Sequence, residues 1–177
     1  MSQHALVLQS DFGLDDGAVN AMYGVAYSVD SSLRIFDLTH NIPVFHIWEA
    51  SYRLLQSVSY WPEGTVFVSV VDPGVGSERR SVAVRTSSDQ YIITPDNGTL
   101  THISRQNGIV EVRYLDEAQN GFRDQANHIL SMDATFTLTP GQDWQPGFSA
   151  STGSVRKFQQ IPSSNFRSWK VISKMIG

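Results

Sequence analysis

Apolar positions along the chain alternate between short runs and helical stripes. Ala5-Leu6-Val7-Leu8-Gln9 is a brief apolar run closed by Ser10-Asp11-Phe12-Gly13, the mark of a buried strand that ends in a loop. A helix is expected next: Asp15 or Asp16 can cap it, and Ala18, Met22, Val25 and Ala26 recur at helical spacing up to about Val29. Residues 31–38 predict a second strand. Residues 47–60 predict a second helix, with Ala50, Leu54, Leu55 and Val58 on one side, and residues 65–71 a third strand. After the Asp72-Pro73-Gly74 turn, residues 81–85, 91–94 and 109–114 read as further strands, the first two bracketing a Ser-Ser-Asp turn. Strand and helix alternate in the first half without any internal repeat. That order predicts an α/β fold, a three-layer domain with a mostly parallel sheet, whose ligand groups gather in loops beyond the strands' C-terminal ends.

Beyond Asn120 this pattern degrades. Residues 135–139, Thr-Phe-Thr-Leu-Thr, are compatible with one strand, but Pro, Gly, Gln and Ser dominate the residues after it. Charge changes at the same place: residues 1–120 hold 14 acids and 7 arginines with no lysine, whereas 121–177 hold 3 acids, 3 arginines and all 3 lysines. The organisation expected is an N-terminal domain over residues 1–120 and an irregular tail over 121–177.

Composition narrows the function classes. A hydrophobic content of 41% with 17% charged residues is that of an ordinary globular protein, and no apolar run approaches the ~20 residues of a bilayer span. The sequence begins with no basic, apolar leader, so a cytoplasmic location and no membrane partner are expected. The absence of cysteine excludes disulfides and thiolate metal sites, and a net charge of -4 argues against a nucleic-acid partner.

The candidate chemistry lies in three loops after three expected strands: Ser10-Asp11-Phe12-Gly13 with Asp15 and Asp16, then Asp37-Leu38-Thr39-His40, then the glycine-rich stretch from Asp72 to Arg80. An Asp at a strand end can accept both hydroxyls of a ribose diol, each charge-assisted bond contributing about 1.5–3 kcal/mol. Standing alone, each of these Asp residues is more often a helix cap or turn former, and it is the three loops together that favour a site. Asp72 and Arg79 can orient a water molecule across their loop, or simply staple it. His40 reads as a satisfied histidine near a strand end or as a catalytic group, while His4, His46 and His102 read as surface or structural. Pro95-Asp96-Asn97-Gly98 is first of all a turn.

Ser10-Asp11-Phe12-Gly13, Asp37-Leu38-Thr39-His40-Asn41-Ile42-Pro43, Pro62-Glu63-Gly64-Thr65-Val66, Val71-Asp72-Pro73-Gly74-Val75-Gly76 and Pro95-Asp96-Asn97-Gly98 stand in the order and spacing of one family. In these five motifs the chain resembles the N-terminal domain of the S-adenosylmethionine hydroxide adenosyltransferases, relatives of the fluorinase and chlorinase. The resemblance implies that Asp11 holds the ribose hydroxyls of S-adenosylmethionine. Phe12, Phe45 and Asn97 would join it in binding the substrate, with the Phe45 ring packed along it. Asp72 and Arg79 match two members of the Asp-Arg-His set associated with water activation. The halide-using branch carries Tyr and Thr where this chain has Asp72 and Val75, so the implied nucleophile is water or hydroxide. The implied reaction is an in-line displacement at the ribose C5′ that releases methionine and leaves adenosine. The leaving group departs neutral from a sulfonium, so the chemistry calls for no metal and no cofactor, S-adenosylmethionine being the substrate. Family members form homotrimers with the site between subunits, and a second, mainly β domain supplies further contacts. Two positions depart from the pattern: Val44 where a second Pro is usual, and His46 where an Asp is usual.

The third member of the catalytic set belongs to a Thr-Phe-His-Gly-Arg-Asp motif that the 177 residues do not contain. Residues 129–135 can nevertheless be encoded so that a shifted frame reads those six residues. Met132 and Trp144, each with a single codon, then force the Gly and Ala that the family pattern needs. A frameshift near Asn120 would account for the changed charge and the lost periodicity together. Two other functions fit parts of the sequence. A folded remnant that binds adenosine weakly or not at all would keep the motifs without the chemistry, with His128 and His40 the remaining candidate bases if turnover occurred. The run from Asp11 to Asp16 also resembles the acidic loop of calcium-dependent nucleoside hydrolases, where clustered carboxylates hold a hard cation.

Overall fold

The computed structural model describes residues 5–74 and 79–115. The tail expected over 121–177, the strand at 135–139, His4, His128, residues 75–78 and the shifted frame all lie outside the described residues. Six strands and three helices are arranged along the chain as β1 (Ala5–Ser10), α1 (Ala18–Val29), β2 (Arg34–Thr39), α2 (Ile47–Val58), β3 (Val66–Val70), β4 (Ser81–Thr86), β5 (Tyr91–Pro95), α3 (Thr101–Gln106) and β6 (Ile109–Tyr114).

The strands form one sheet in the order β2-β1-β3-β5-β4-β6. β1 pairs in parallel with β2 and β3, and β3 in parallel with β5, while β4 runs antiparallel to both β5 and β6. The sheet is thus mostly parallel, as the sequence predicts. Alternation along the strands sends successive side chains to opposite faces. Leu6 and Leu8 of β1 pack with Met22 and Ala26 of α1, whereas Val7 between them packs with Leu54 and Val58 of α2 and Ile103 of α3. One helix on one face and two on the other make the expected three layers. The chain moves from β1 to β2 in one direction and from β2 to β3 in the other, and right-handed crossovers then place α1 and α2 on opposite faces.

The ends of the elements have local causes. The N-cap of α1 is Gly17, not Asp15 or Asp16 as expected; Asp16, one residue earlier, accepts the Ala18 N–H at 2.9 Å in a turn that leads into the helix. β2 begins at Arg34 rather than at residue 31 because Asp30 takes both the N–H and the hydroxyl of Ser32, closing a turn there. α3 has no counterpart among the expected elements: its six residues, Thr-His-Ile-Ser-Arg-Gln, carry no helical stripe, and it is anchored by the fully buried Ile103. Burial of one isoleucine stabilises by about 1.5–3 kcal/mol, enough to hold a short helix of low propensity.

Gln9 and Glu111 are paired inside this core, whereas the buried Thr94 hydroxyl has no hydrogen-bond partner among the described residues. Gln9 accepts the Ser69 hydroxyl at 2.7 Å and donates to the Ala50 carbonyl at 3.2 Å, joining β1, β3 and α2 just below the C-terminal edge of the sheet. On the distal strands Glu111 is buried between Arg85 and Arg113, and Asp89 makes a second contact to Arg85. Burial works against the Arg85 charge, but the Asp89 and Glu111 carboxylates outweigh it and raise its pKa.

Candidate active site

Strand order reverses direction at β1, which has β2 on one side and β3 on the other. In open α/β sheets the crevice at such a reversal, beyond the C-terminal ends of the strands, is where ligands bind. The loop after β1 carries Asp11, and the loop after β3 carries Asp72. Both expected site carboxylates therefore flank the reversal.

Asp11 Oδ2 accepts the backbone N–H of Phe45 at 2.7 Å, which ties the loop after β1 to the loop after β2. Phe45 has a φ of 63°, a left-handed conformation that costs a non-glycine residue free energy and is found chiefly where surrounding contacts enforce it. Its ring stands 57% exposed beside the equally open Val44. Phe12, by contrast, packs its ring against the apolar cluster under α1, while its N–H donates to Ser10 Oγ at 3.3 Å. Gly13 supplies the positive φ, 74°, that lets the turn close, and its N–H donates to the His40 carbonyl at 2.8 Å.

The loop after β3 is organised around Asp72. Its Oδ1 accepts the Gly74 N–H at 2.9 Å and is also ion-paired with the Arg79 guanidinium. Both side chains are largely shielded, 15% and 19% exposed, so the pair feels less screening than a surface ion pair would. Arg79 lies so close over Gly74 that a Cβ there would collide with its guanidinium. Asn97 stands next to this loop: its Nδ2 donates to the Val71 carbonyl at 2.8 Å, and its Oδ1 accepts the Thr99 N–H and hydroxyl at 3.2 and 2.7 Å. The Pro95-to-Gly98 turn is thereby locked to the end of β3. Arg80, on the far side, accepts the Asp96 N–H at its carbonyl and lays its guanidinium over the Tyr114 ring.

His40 is a satisfied histidine near a strand end. It is buried, with Nδ1 2.7 Å from Ser10 Oγ and Nε2 3.0 Å from Asp37 Oδ1. A β-bulge at the end of β2, where Leu8 pairs with Asp37 but Gln9 with Thr39, sets Asp37 in this position. The second Asp37 oxygen takes the hydroxyl of Tyr23 from α1. Burial, together with that carboxylate, pushes the Tyr23 phenol up to about 12. Tyr23 is not among the residues that the sequence points to; the only signal for it there is a polar ring on the core-facing side of a helix.

His46 and His102 are structural. His46 Nδ1 accepts the Glu49 N–H at 3.2 Å and so caps α2, the task a conventional Asp would perform at the same place. His102 meets Ser51 Oγ at 2.8 Å and stands edge-on to Trp48, which stacks on Tyr52. The acidic run at residues 11–16 is dispersed: Asp11 serves Phe45 and Asp16 serves Ala18. Among the described residues no three His, Asp or Glu side chains gather as a metal site would require.

The SAM hydroxide adenosyltransferase N-terminal domain family matches this chain over residues 6–139. The chain belongs to that family. Among adenosyltransferase relatives, the (R)-S-adenosyl-L-methionine hydrolase of Methanocaldococcus jannaschii is 37% identical over 116 residues, covering 63% of this chain and 44% of that protein. The enzyme of the same name from Salinispora arenicola is 41% identical over 91 residues, 51% of this chain and 34% of its own length. A fluorinase from Actinopolyspora mzabensis is 27% identical over 132 residues, 62% of this chain and 44% of that protein. The adenosyltransferase fold is also found in a crystal structure of an uncharacterized conserved protein from Thermotoga maritima, with a TM-score of 0.69 and 29% identity over 73% of this chain and 50% of the other. The chain spans less than half the length of the curated relatives it matches. Among its described residues no helix is long and apolar enough to cross a membrane.

Proposed function

We propose that this domain binds the adenosyl group of S-adenosylmethionine and directs water to its C5′, giving adenosine and methionine. The observation that carries the reading is the pair of carboxylates flanking the strand reversal, Asp11 braced by the Phe45 amide and Asp72 by Arg79. One Asp11 oxygen serves the protein and the other is left for a ribose hydroxyl, with the exposed Phe45 in the neighbouring loop and Asn97, bonded to the end of β3, as further substrate contacts. Phe12 stands in the same turn, its partly buried ring packed against the core and its N–H taken by Ser10, leaving the rest of the ring to face the substrate. Asp72, with the Arg79 cation beside it, holds a water molecule by accepting one of its protons in a hydrogen bond. This orients a lone pair toward carbon; as the C5′–O bond forms and the C5′–S bond breaks, the released proton passes to the Asp72 carboxylate, while the thioether of methionine departs neutral and needs no acid.

Water rather than halide is supported on two grounds. The curated relatives named hydrolases are 37% and 41% identical, against 27% for the fluorinase, and Asp72 would repel an incoming halide anion. Assembly of the site between copies in a homotrimer follows the family pattern and belongs to this proposal.

The Thr-Phe-His-Gly-Arg-Asp element is absent from the 177 residues, so adenosine binding with at most a trace of turnover is expected of the chain, and full turnover of a version with the frame restored across residues 129–135. Incubation with S-adenosylmethionine in 18O-water tests both. The label should enter the 5′-hydroxyl of adenosine, rapidly in the restored version. Label in methionine, or no adenosine from either protein, would reject the reaction. Intact adenosine binding with no product from either would select the non-catalytic remnant.

A further inference from the structure

We propose that His40 is a positioning residue for the adenosyl site: by accepting the Ser10 hydroxyl at Nδ1 it sets the turn at residues 10–13, and with it the Asp11 carboxylate. The inference rests on reading Asp11 as the ribose ligand.

Ser10, His40 and Asp37 stand one after another in the order of a hydrolytic triad, with contacts of 2.7 and 3.0 Å. They are not one. Ser10 is fully buried and His40 is 3% exposed, so no substrate carbonyl can reach the hydroxyl. For a neutral imidazole the chemistry of the partners instead gives the chain of hydrogen bonds a single direction. A carboxylate can only accept, so Asp37 takes the His40 Nε2 proton on one oxygen and the Tyr23 hydroxyl on the other. With Nε2 protonated, neutral imidazole has an acceptor at Nδ1, and the Ser10 hydroxyl donates to it. The Ser10 oxygen is then oriented to accept the Phe12 N–H at 3.3 Å. Asp37 thus fixes the tautomer, and the tautomer fixes the turn.

The same histidine holds the turn a second time, its carbonyl accepting the Gly13 N–H at 2.8 Å. Asp11 lies between these two points, and its reach to the strained Phe45 backbone depends on where they put it. The backbone bond survives substitution of His40, and the side-chain bond does not. His40→Gln carries an amide that can reach Asp37 but places no acceptor at the Nδ1 position. His40→Asn loses Asp37 but can present its carbonyl oxygen to Ser10.

Hydrogen exchange at the Phe45 amide, followed by NMR in the full 177-residue chain, reports directly on Asp11. In His40→Gln that amide should exchange at least about tenfold faster, and in His40→Asn within about threefold of the unsubstituted rate, while the Val7 and Leu8 amides of β1 stay protected in both. Adenosine affinity should change in parallel, falling about tenfold or more only in the Gln variant. Unchanged Phe45 exchange in His40→Gln overturns the proposal. So does equal loss in the two variants, or a Phe45 loss matched by the β1 amides, since either would mark a merely structural histidine. If the unsubstituted chain binds no adenosine, the ribose reading of Asp11 falls, and the exchange rates still decide whether His40 places that carboxylate.

Discussion

The carboxylate of Asp11 accepts the backbone N–H of Phe45 across 2.7 Å and 34 positions of sequence, so the residue expected to hold the ribose also clamps the loop expected to cover it. Replacing Asp11 with Ala should therefore do two things. Adenosine affinity should drop by about 1.5–3 kcal/mol, roughly 10- to 150-fold, from the loss of one charge-assisted bond. Phe45, released from its left-handed backbone conformation, should also lose amide protection. Calorimetry showing unchanged affinity would reject the ribose role, whatever happens to the loop.

Asp72 offers a test that separates chemistry from stapling. Asp72→Asn keeps the shape and the Gly74 contact but weakens the attraction to Arg79 and to a polarised water. If the carboxylate orients the nucleophile, single-turnover adenosine formation in the frame-restored protein should slow by about a hundredfold or more, with substrate affinity changed less than about threefold. If it only closes the loop, melting temperature should fall and activity should track the folded fraction.

A side chain at Gly74 should displace the Arg79 guanidinium. In Gly74→Ala the new methyl group meets the Arg79 guanidinium, which must move away from Asp72. A cost of about 1–3 kcal/mol is expected for such overpacking. Denaturant unfolding measures it, and adenosine formation should fall further than the stability change explains. Near-normal turnover in this variant would show that the pair is dispensable.

Tyr23 should ionise with a midpoint near 12 instead of the ordinary 10.0, because burial and the Asp37 carboxylate both favour the neutral phenol. A raised folded-state pKa means the contribution is fully present below the unfolded value and is lost as pH rises through the folded one, so stability from this contact should decline between about pH 10 and 12. A difference ultraviolet titration against Tyr23→Phe isolates the transition. A Tyr23 midpoint at the ordinary value would remove the phenol as a donor to Asp37.

Much of this architecture can be read from sequence, because each of the six strands carries apolar residues bounded by turn residues such as Ser10-Asp11, Asp72-Pro73-Gly74 and Pro95-Asp96. α3 escapes because its stability comes from one anchor, Ile103, and not from a periodic stripe. Site residues divide in the same way. Asp11 and Asp72 stand out as candidates from their places at strand ends, whereas Asn97 enters only through the family resemblance, its own sequence reading as a turn. Their partners are not legible there: the amide that Asp11 accepts belongs to a residue chosen by tertiary packing, and Tyr23 meets Asp37 only once α1 has folded back over the sheet. His46 in place of Asp looks like a disturbance of the site, yet its ring nitrogen performs the capping an Asp would.

The contacts among Ser10, Asp11, Tyr23, Asp37, His40 and Phe45 all lie within a stretch that leaves the ribosome early. Their strands, β1 and β2, are neighbours in the sheet and are joined through a single helix, so this corner can close before β4, β5 and β6 have been synthesised. Arg79, proposed to act with Asp72 on the water, and Asn97, proposed to contact the substrate, are added to a corner already in place. A mutational accident downstream of Leu115, however drastic for the rest of the chain, alters none of the atoms that hold Asp11. Such a gene would still encode every residue of the corner that holds Asp11.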